Sequence, residues 1–309
     1  MLSSEAPPPQ LGNAITSASM TTTLSNTSYM FNKLDHLIIA VDDLDAATDD
    51  YTKVLGFPPI WMGNHPQLGT ENALFPVQNT YLELLSARGR GPGADMVQES
   101  LNDNGEGLCG MALRTDNLDA LKTALASKDI RMGKIANGKG VSRDGVKTRT
   151  WKSAFFLGAS TRGLRLLAIE HLTGTLGEIE ANASQMGRLD HVVINTNDPD
   201  GFVALYQDAL GIRLSLDQTV EQWGGRMLFF RLNKTTIEVI GRGDSKETQD
   251  SLWGLAWSVD DLDLARDRLI RENVEVSEIR EGRKPNTVVC TVKSHTRGVP
   301  TLFIQHLAT

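Results

Sequence analysis

Leu34-Asp35-His36-Leu37-Ile38-Ile39-Ala40-Val41-Asp42-Asp43 opens the folded part of the chain, and Leu189-Asp190-His191-Val192-Val193-Ile194-Asn195-Thr196-Asn197-Asp198 opens it a second time. Each copy is an apolar run carrying one histidine, followed by an acidic cluster and a segment of helical periodicity. A glutamate inside a later apolar run follows each histidine at the same distance: Glu83 in Tyr81-Leu82-Glu83-Leu84-Leu85 and Glu238 in Ile237-Glu238-Val239-Ile240. A polar residue set in an apolar strand and matched in a distant copy needs a physical reason. Self-similarity of this kind decides the fold before local propensity does.

Residues 35–41 read as a strand, a short run rich in aliphatic and β-branched side chains. Asp42-Asp43-Leu44-Asp45 then supplies helix N-cap side chains. Leu44, Ala47, Tyr51, Val54 and Leu55 recur at helical spacing up to Gly56, a glycine suited to the position after a helix. Strands near 60–62, 72–77 and 80–86 complete a β-α-β-β-β unit. A second unit follows, with a strand at 108–115, a helix opened by Asp116-Asn117-Leu118-Asp119, and strands at 148–156 and 164–171. The third starts at Leu189 and the fourth at Leu252, where Asp260-Asp261-Leu262-Asp263 caps the helix. The even units share an ending: Thr161-Arg162-Gly163 leads to Ile169-Glu170-His171-Leu172, and Thr296-Arg297-Gly298 leads to Ile304-Gln305-His306-Leu307. The chain is therefore a duplicated pair. The expected fold class is α+β: four βαβββ modules paired into two curved, barrel-like mixed sheets with helices outside. The expected organisation is a disordered leader at 1–32, a first domain at 33–172, a linker at 173–188 and a second domain at 189–309.

Composition bounds the function. The 309 residues suffice for two domains with full cores, and 40% apolar with 22% charged residues is ordinary for a globular protein. A net charge of −7 carries no nucleic-acid footprint, which needs clustered Lys and Arg. No stretch approaches the roughly 20 apolar residues of a membrane span. Cys109 and Cys290 lie in different halves and read as buried thiols in a reducing compartment, which points to the cytoplasm. The leader holds Pro7-Pro8-Pro9, much Ser and Thr, and no Arg or Lys before Lys33, unlike a secretory or transit signal. It reads as disordered or as a translation-start artefact, with Met20 and Met30 as alternative starts. The expected partner is a small-molecule substrate, with a homodimer as one compatible assembly.

Four such modules, an Asp-His at the start of the odd ones and a Glu in their last strand resemble the vicinal-oxygen-chelate superfamily of glyoxalases, bleomycin-resistance proteins and extradiol dioxygenases. The resemblance covers about residues 33–307. More narrowly, His65-Pro66-Gln67-Leu68-Gly69-Thr70-Glu71-Asn72-Ala73-Leu74 followed by Tyr81-Leu82-Glu83-Leu84, together with Arg143-Asp144-Gly145 and Trp151, is similar to the glyoxalase-like domain branch. The resemblance implies a cavity in each paired sheet holding a divalent ion (Zn, Ni, Mn, Mg or Fe), or none. Carried onto this chain, the metal ligands of the first half are His36, Glu83 and Glu170; the second-half candidates are His191, Glu238 and Gln305. Gly110 and Gly254 stand where a second first-strand histidine would lie, so neither half has the two-histidine, one-carboxylate set of the ring-cleaving dioxygenases.

One imidazole and two carboxylates would suit a hard or borderline cation acting as a Lewis acid, with Glu83 or Glu170 as the catalytic base. The alternative for His36 and His191 is a satisfied core histidine. His65, Thr70 and Asn72 are candidate substrate contacts at a cavity mouth, or simply a turn. Arg143 and Trp151 are candidates for binding a carboxylate and covering an apolar substrate, with Trp151 also readable as core. By alternation from Glu170 and Gln305, His171 and His306 should point away from the cavity. Trp253 and Trp257 read as packing residues. The expected function is metal-dependent proton transfer on a small oxygenated molecule, of lyase, isomerase or epimerase type, in the first half, with the second half a degenerate copy. The alternatives are a binding or resistance protein without turnover, and an extradiol dioxygenase.

Overall fold

A computed structural model describes residues 30–220, 225–241 and 248–307. Up to residue 29 the expected leader lies outside them. The first module is β1 (Lys33–Ala40), α1 (Leu44–Leu55), β2 (Trp61–His65), β3 (Thr70–Val77) and β4 (Thr80–Ala87). The expected cap is in place: Asp43 accepts the Ala46 N–H, and Gly56 ends α1 at φ 88°. A helix absent from the expected order, α2 (Pro92–Asn104), joins the modules; Pro92 opens it, and Ala94 and Val97 are buried along it. The second module is β5 (Gly107–Arg114), α3 (Leu118–Ala126), β6 (Ala136–Ser142), β7 (Thr148–Phe155) and β8 (Leu166–Thr173). The third is β9 (Arg188–Thr196), α4 (Pro199–Val203), β10 (Arg213–Val220), β11 (Gly225–Leu232) and β12 (Thr235–Gly241). The fourth is β13 (Asp250–Ser258), α5 (Leu262–Arg271), β14 (Arg280–Glu281), β15 (Thr287–Val292) and β16 (Thr301–His306).

The eight strands of the first half close into a barrel in the order β1-β4-β3-β2-β6-β7-β8-β5, and those of the second form an open sheet, β10-β11-β12-β9-β13-β16-β15-β14. Closure rests on β2 pairing with β6, at Gly63↔Ser142 and Asn64↔Val141. A Cβ on Gly63 would lie 2.5 Å from the Val141 carbonyl oxygen, so glycine permits this approach. In the second half β14 is only two residues long and does not reach β10. The helix-facing sides of both sheets share one apolar core that runs from Leu37, Ile39 and Tyr51 to Phe202, Trp257 and Phe303.

Two matching arginines clasp the halves together. Arg162, at φ 53°, reaches into the second half, where Nε bonds the Asp250 carboxylate at 2.7 Å and Nη1 bonds Asp198 at 3.0 Å. Arg297, at φ 47°, reaches back to Asp50 at 2.6 Å and Glu106 at 3.2 Å. The repeated Thr-Arg-Gly endings thus serve the junction between halves. Between β8 and β9, where the linker is expected, the chain is docked: Met186 is buried and its N–H bonds the Leu55 carbonyl at 3.1 Å.

Candidate functional site

In β1, a register shift between Leu34 and His36 leaves Asp35 as the extra residue of a bulge. A bulge re-aims side chains, and here Asp35 joins His36: its Oδ1 lies 2.7 Å from His36 Nδ1. His36 Nε2 lies 3.3 Å from Glu83 Oε2 on the parallel strand β4. From β8, His171 Nε2 sits 3.0 Å from Asp35 Oδ2. The result is a linear chain, Glu83–His36–Asp35–His171. Burial raises the proton affinity of Asp35, but hydrogen bonds from His171 and His36 outweigh it and hold the carboxyl far below its usual range. The same bulge recurs in β9 at Asp190. There His191 Nδ1 lies 2.9 Å from Asp190 Oδ1, His306 Nε2 2.6 Å from Asp190 Oδ2, and His191 Nε2 3.4 Å from Glu238 Oε2. Burial opposes ionisation of Asp190 as well, and His191 and His306 again hold it well below the ordinary range.

Two expectations are corrected by this geometry. Leu166 and Ala168 lie in the helix-facing core, so Glu170 shares their side of β8; its Oε2 accepts the Leu118 N–H at 2.8 Å, capping α3 from outside the barrel. Gln305 does the same for α5, accepting the Leu262 N–H at 2.9 Å. Glu170 and Gln305 therefore do not join His36–Glu83 and His191–Glu238, and His171 and His306 are the inward residues. Arg143 also leaves the expected site, pairing with Asp45 at 2.8 Å on the surface.

Inside the first barrel the remaining candidates satisfy one another. Asn72 Nδ2 donates to Glu83 Oε1 at 2.7 Å, and Trp61 Nε1 donates to Asn72 Oδ1 at 3.1 Å. His65 Nδ1 lies 2.9 Å from Thr70 Oγ1, and its ring meets Trp151 edge-on at 5.2 Å. His65, Thr70 and Asn72 are all buried, so they lie inside the barrel and not at a mouth. Burial lowers the His65 pKa. Tyr81 stacks on His36 with centroids 4.7 Å apart. Leu176, between β8 and β9, packs on Trp61, Leu74 and Tyr81.

The second half is open where the first is sealed. Thr236 pairs with His191 at the register position that Tyr81 occupies opposite His36. A cavity of about 910 Å³ results, in the range of small-molecule sites. Asp190, His191 and Glu238 form its floor, Leu216, Phe229, Trp253 and Leu302 its walls, and Arg231, Arg280 and Lys284 its rim. Trp253 was expected as packing; it is the extra residue at a β13 bulge, 45% exposed, and it faces this cavity, whereas Trp257 is core as expected.

The description "Glyoxalase-like domain" matches residues 34–183, and "Glyoxalase/Bleomycin resistance protein/Dioxygenase superfamily" matches residues 190–291. The chain belongs to this superfamily. No curated protein sequence matches it. Among solved structures it resembles 4-hydroxymandelate synthase from Streptomyces coelicolor, as a triple mutant, at 15% identity and TM-score 0.62, covering 90% of this chain and 94% of that one. It also resembles the Mn(II)-bound glyoxalase from Novosphingobium aromaticivorans at 16% identity and TM-score 0.61, covering 90% and 83%. A hypothetical protein from Staphylococcus aureus is similar at 12% identity and TM-score 0.58, covering 88% and 99%. Identities this low show a shared fold.

As a glyoxalase-superfamily member the chain is expected to offer a metal three or more side-chain donors. Among the described residues no group of three His, Cys, Asp or Glu side chains is so placed. His36 and Glu83, like His191 and Glu238, supply two donors that contact each other. The facing positions on the neighbouring strands are Gly110, Ala112 and Leu167 in one half, and Gly254, Ala256 and Leu302 in the other. None carries a ligand atom on its side chain, so these residues do not fit the three-ligand site that the resemblance implies.

Proposed function

We propose that this superfamily member binds a small apolar organic anion in the second-half cavity, and that His191 moves a proton on it. The site thus shifts from the first half, where it was expected, to the second. The carrying observation is the contrast of Thr236 with Tyr81: the same imidazole is covered in one half and open to a 910 Å³ cavity in the other. Aromatic and aliphatic walls favour an apolar body, and the rim of Arg231, Arg280 and Lys284 favours a carboxylate. Asp190 fixes the imidazole by taking its Nδ1–H, which leaves Nε2 to exchange a proton with the ligand or with Glu238. That is the chemistry of an isomerase, epimerase or lyase acting on carbon next to a carbonyl, and it needs no step through a metal. Both cysteines are free, Cys290 buried and Cys109 partly so, which supports a reducing, cytoplasmic setting; among the described residues no helix is long and apolar enough to cross a membrane.

A second reading has its own support. The Glu–His–Asp–His chain persists in the first barrel, where Tyr81 covers His36 and only Asp35 and His171 reach the polar cleft at the barrel's end. The arrangement therefore also serves structure, and the open half would then bind a ligand without turnover, like the resistance proteins of the superfamily. Binding is tested with 1-anilinonaphthalene-8-sulfonate as probe. Thr236→Tyr, which copies the seal, should abolish its fluorescence enhancement; undiminished enhancement removes the cavity from consideration. Catalysis is tested by NMR of 2-oxo and 2-hydroxy acids in D2O. Exchange of the α-proton by the wild type, lost in His191→Gln while probe displacement is kept, supports turnover; displacement without exchange leaves the binding reading.

A further inference from the structure

A second, polar cleft of about 780 Å³ lies where the linker crosses the end of the first barrel. Its cations are Lys33, Arg114, Arg149 and, from the second half, Lys234; its carboxylates are Asp35 and Glu178, and His171 also lines it. Asp35 is already held between His36 and His171, and Glu178 is exposed on the linker. Arg149 is only 8% exposed. Its guanidinium carbon lies 5.7 Å from the Trp61 centroid and 5.8 Å from that of Tyr81, and Nε donates to the Gly174 carbonyl at 3.0 Å. Its two terminal nitrogens have no hydrogen-bond or ion-pair partner among the described residues. A buried charge without a counter-charge is costly. Lys33 and Arg114 add to the problem, because they are register partners across β1 and β5. Like charges directly opposite on neighbouring strands repel. Burial chiefly, with Arg114 adding to it against Asp35, lowers the Lys33 pKa.

We propose that this cleft is a second ligand site, for a small oxyanion carrying a carboxylate or phosphate group, with Arg149 as its anchor. Lying over the Trp61 and Tyr81 rings and pinned at Nε, the guanidinium presents a fixed pair of donors, which is the geometry that takes two oxygens of one anion. Lys33, Arg114 and Lys234 supply the surrounding charge. The site is separate from the second-half cavity and needs nothing from it.

The test uses the full chain, with sodium phosphate, sodium succinate and sodium chloride at matched ionic strength, read by calorimetric titration and thermal melting. One of the two oxyanions should bind saturably and raise the melting temperature above that in chloride; which one does so identifies the ligand chemistry. Arg149→Gln should abolish this binding. Lys234→Gln should weaken it by about threefold or more while melting normally without ligand. Thr236→Tyr should leave it unchanged. No saturable binding of either anion, binding retained in Arg149→Gln, or binding lost in Thr236→Tyr would each overturn the proposal. Should Arg149→Gln not fold, Lys234→Gln and Arg114→Gln decide, and wild-type affinity in both refutes the site.

Discussion

Replacing Arg162 with methionine should destabilise the protein by about 3–5 kcal/mol, the range for removing one partner of a buried ion pair. The magnitude follows from what remains behind. The Arg162 side chain is 8% exposed and that of Asp250 is fully buried. Nε and Nη2 of Arg162 together satisfy both oxygens of Asp250, while Nη1 and Nη2 hold the side chain and carbonyl of Asp198. Without the guanidinium, the Asp250 carboxylate keeps, among the described residues, only the Thr196 hydroxyl, at 2.6 Å. Arg297→Met is the internal control. Its partners Asp50 and Glu106 are 21% and 27% exposed and can turn to water, so about 1–2 kcal/mol is expected. Urea unfolding monitored by circular dichroism measures both. Because one core spans the halves, a single transition with an unchanged slope is expected, with the midpoint lowered by roughly 1 M or more in Arg162→Met. Adding Asp250→Asn to Arg162→Met should recover part of the loss, since the orphaned charge is gone. Equal losses in the two single variants, or no recovery in the double, would refute the assignment of the cost to a stranded carboxylate.

Three further outcomes can be checked. The folded-state pKa of Asp35 lies far below its unfolded value near 3.9, so its contribution to stability is full above that pH and is lost as the pH falls below it toward the folded value. Asp35→Asn should therefore flatten the loss of urea midpoint below about pH 4, and an unchanged slope would contradict the reading. Burial pushes the thiols of Cys109 and Cys290 up to about 11, so a thiol-specific disulfide reagent should titrate neither at pH 8 until the protein is unfolded. Asn72→Met should cost about 2–4 kcal/mol by leaving Glu83 Oε1 and the Trp61 N–H without partners, yet leave probe binding in the second half unchanged, which combined melting and fluorescence titration would show.

Much of the fold was legible because the repeat carries it. Asp43 and Asp261 cap their helices as read, and the odd-module strands fall where the apolar runs do. The phase of the last even strand was not legible. Leu166-Leu167-Ala168-Ile169 is apolar on both faces, because one side meets the helices and the other fills the barrel, and alternation is lost. Whether Glu170 or His171 faced inward could not be read from that run. Nor does the sequence mark the bulge that turns Asp35 inward beside His36. Strand β6 was missed because its glycines, Gly138 and Gly140, mimic a loop; Gly138 is there to admit the Trp151 ring, which a Cβ would meet at 2.1 Å. The difference between the halves was within reach: laying the two odd modules over each other sets Tyr81 against Thr236 and Asn72 against Met227.

That last pair explains how one duplicated arrangement serves two ends. Four polar side chains inside an apolar sheet persist only if each is satisfied. In the first half Asn72 closes the series, capping the outer oxygen of Glu83 and being capped in turn by Trp61. In the second, Met227 is buried against Val193 and Ile240 and offers no amide. Among the described residues Glu238 meets only His191, and its second oxygen is left to the cavity. The sealed copy is thus complete without a ligand, while the open copy has an acceptor and an imidazole that a bound molecule would complete. Loss of two side chains, one aromatic and one amide, separates a structural core from a site with work left for its occupant.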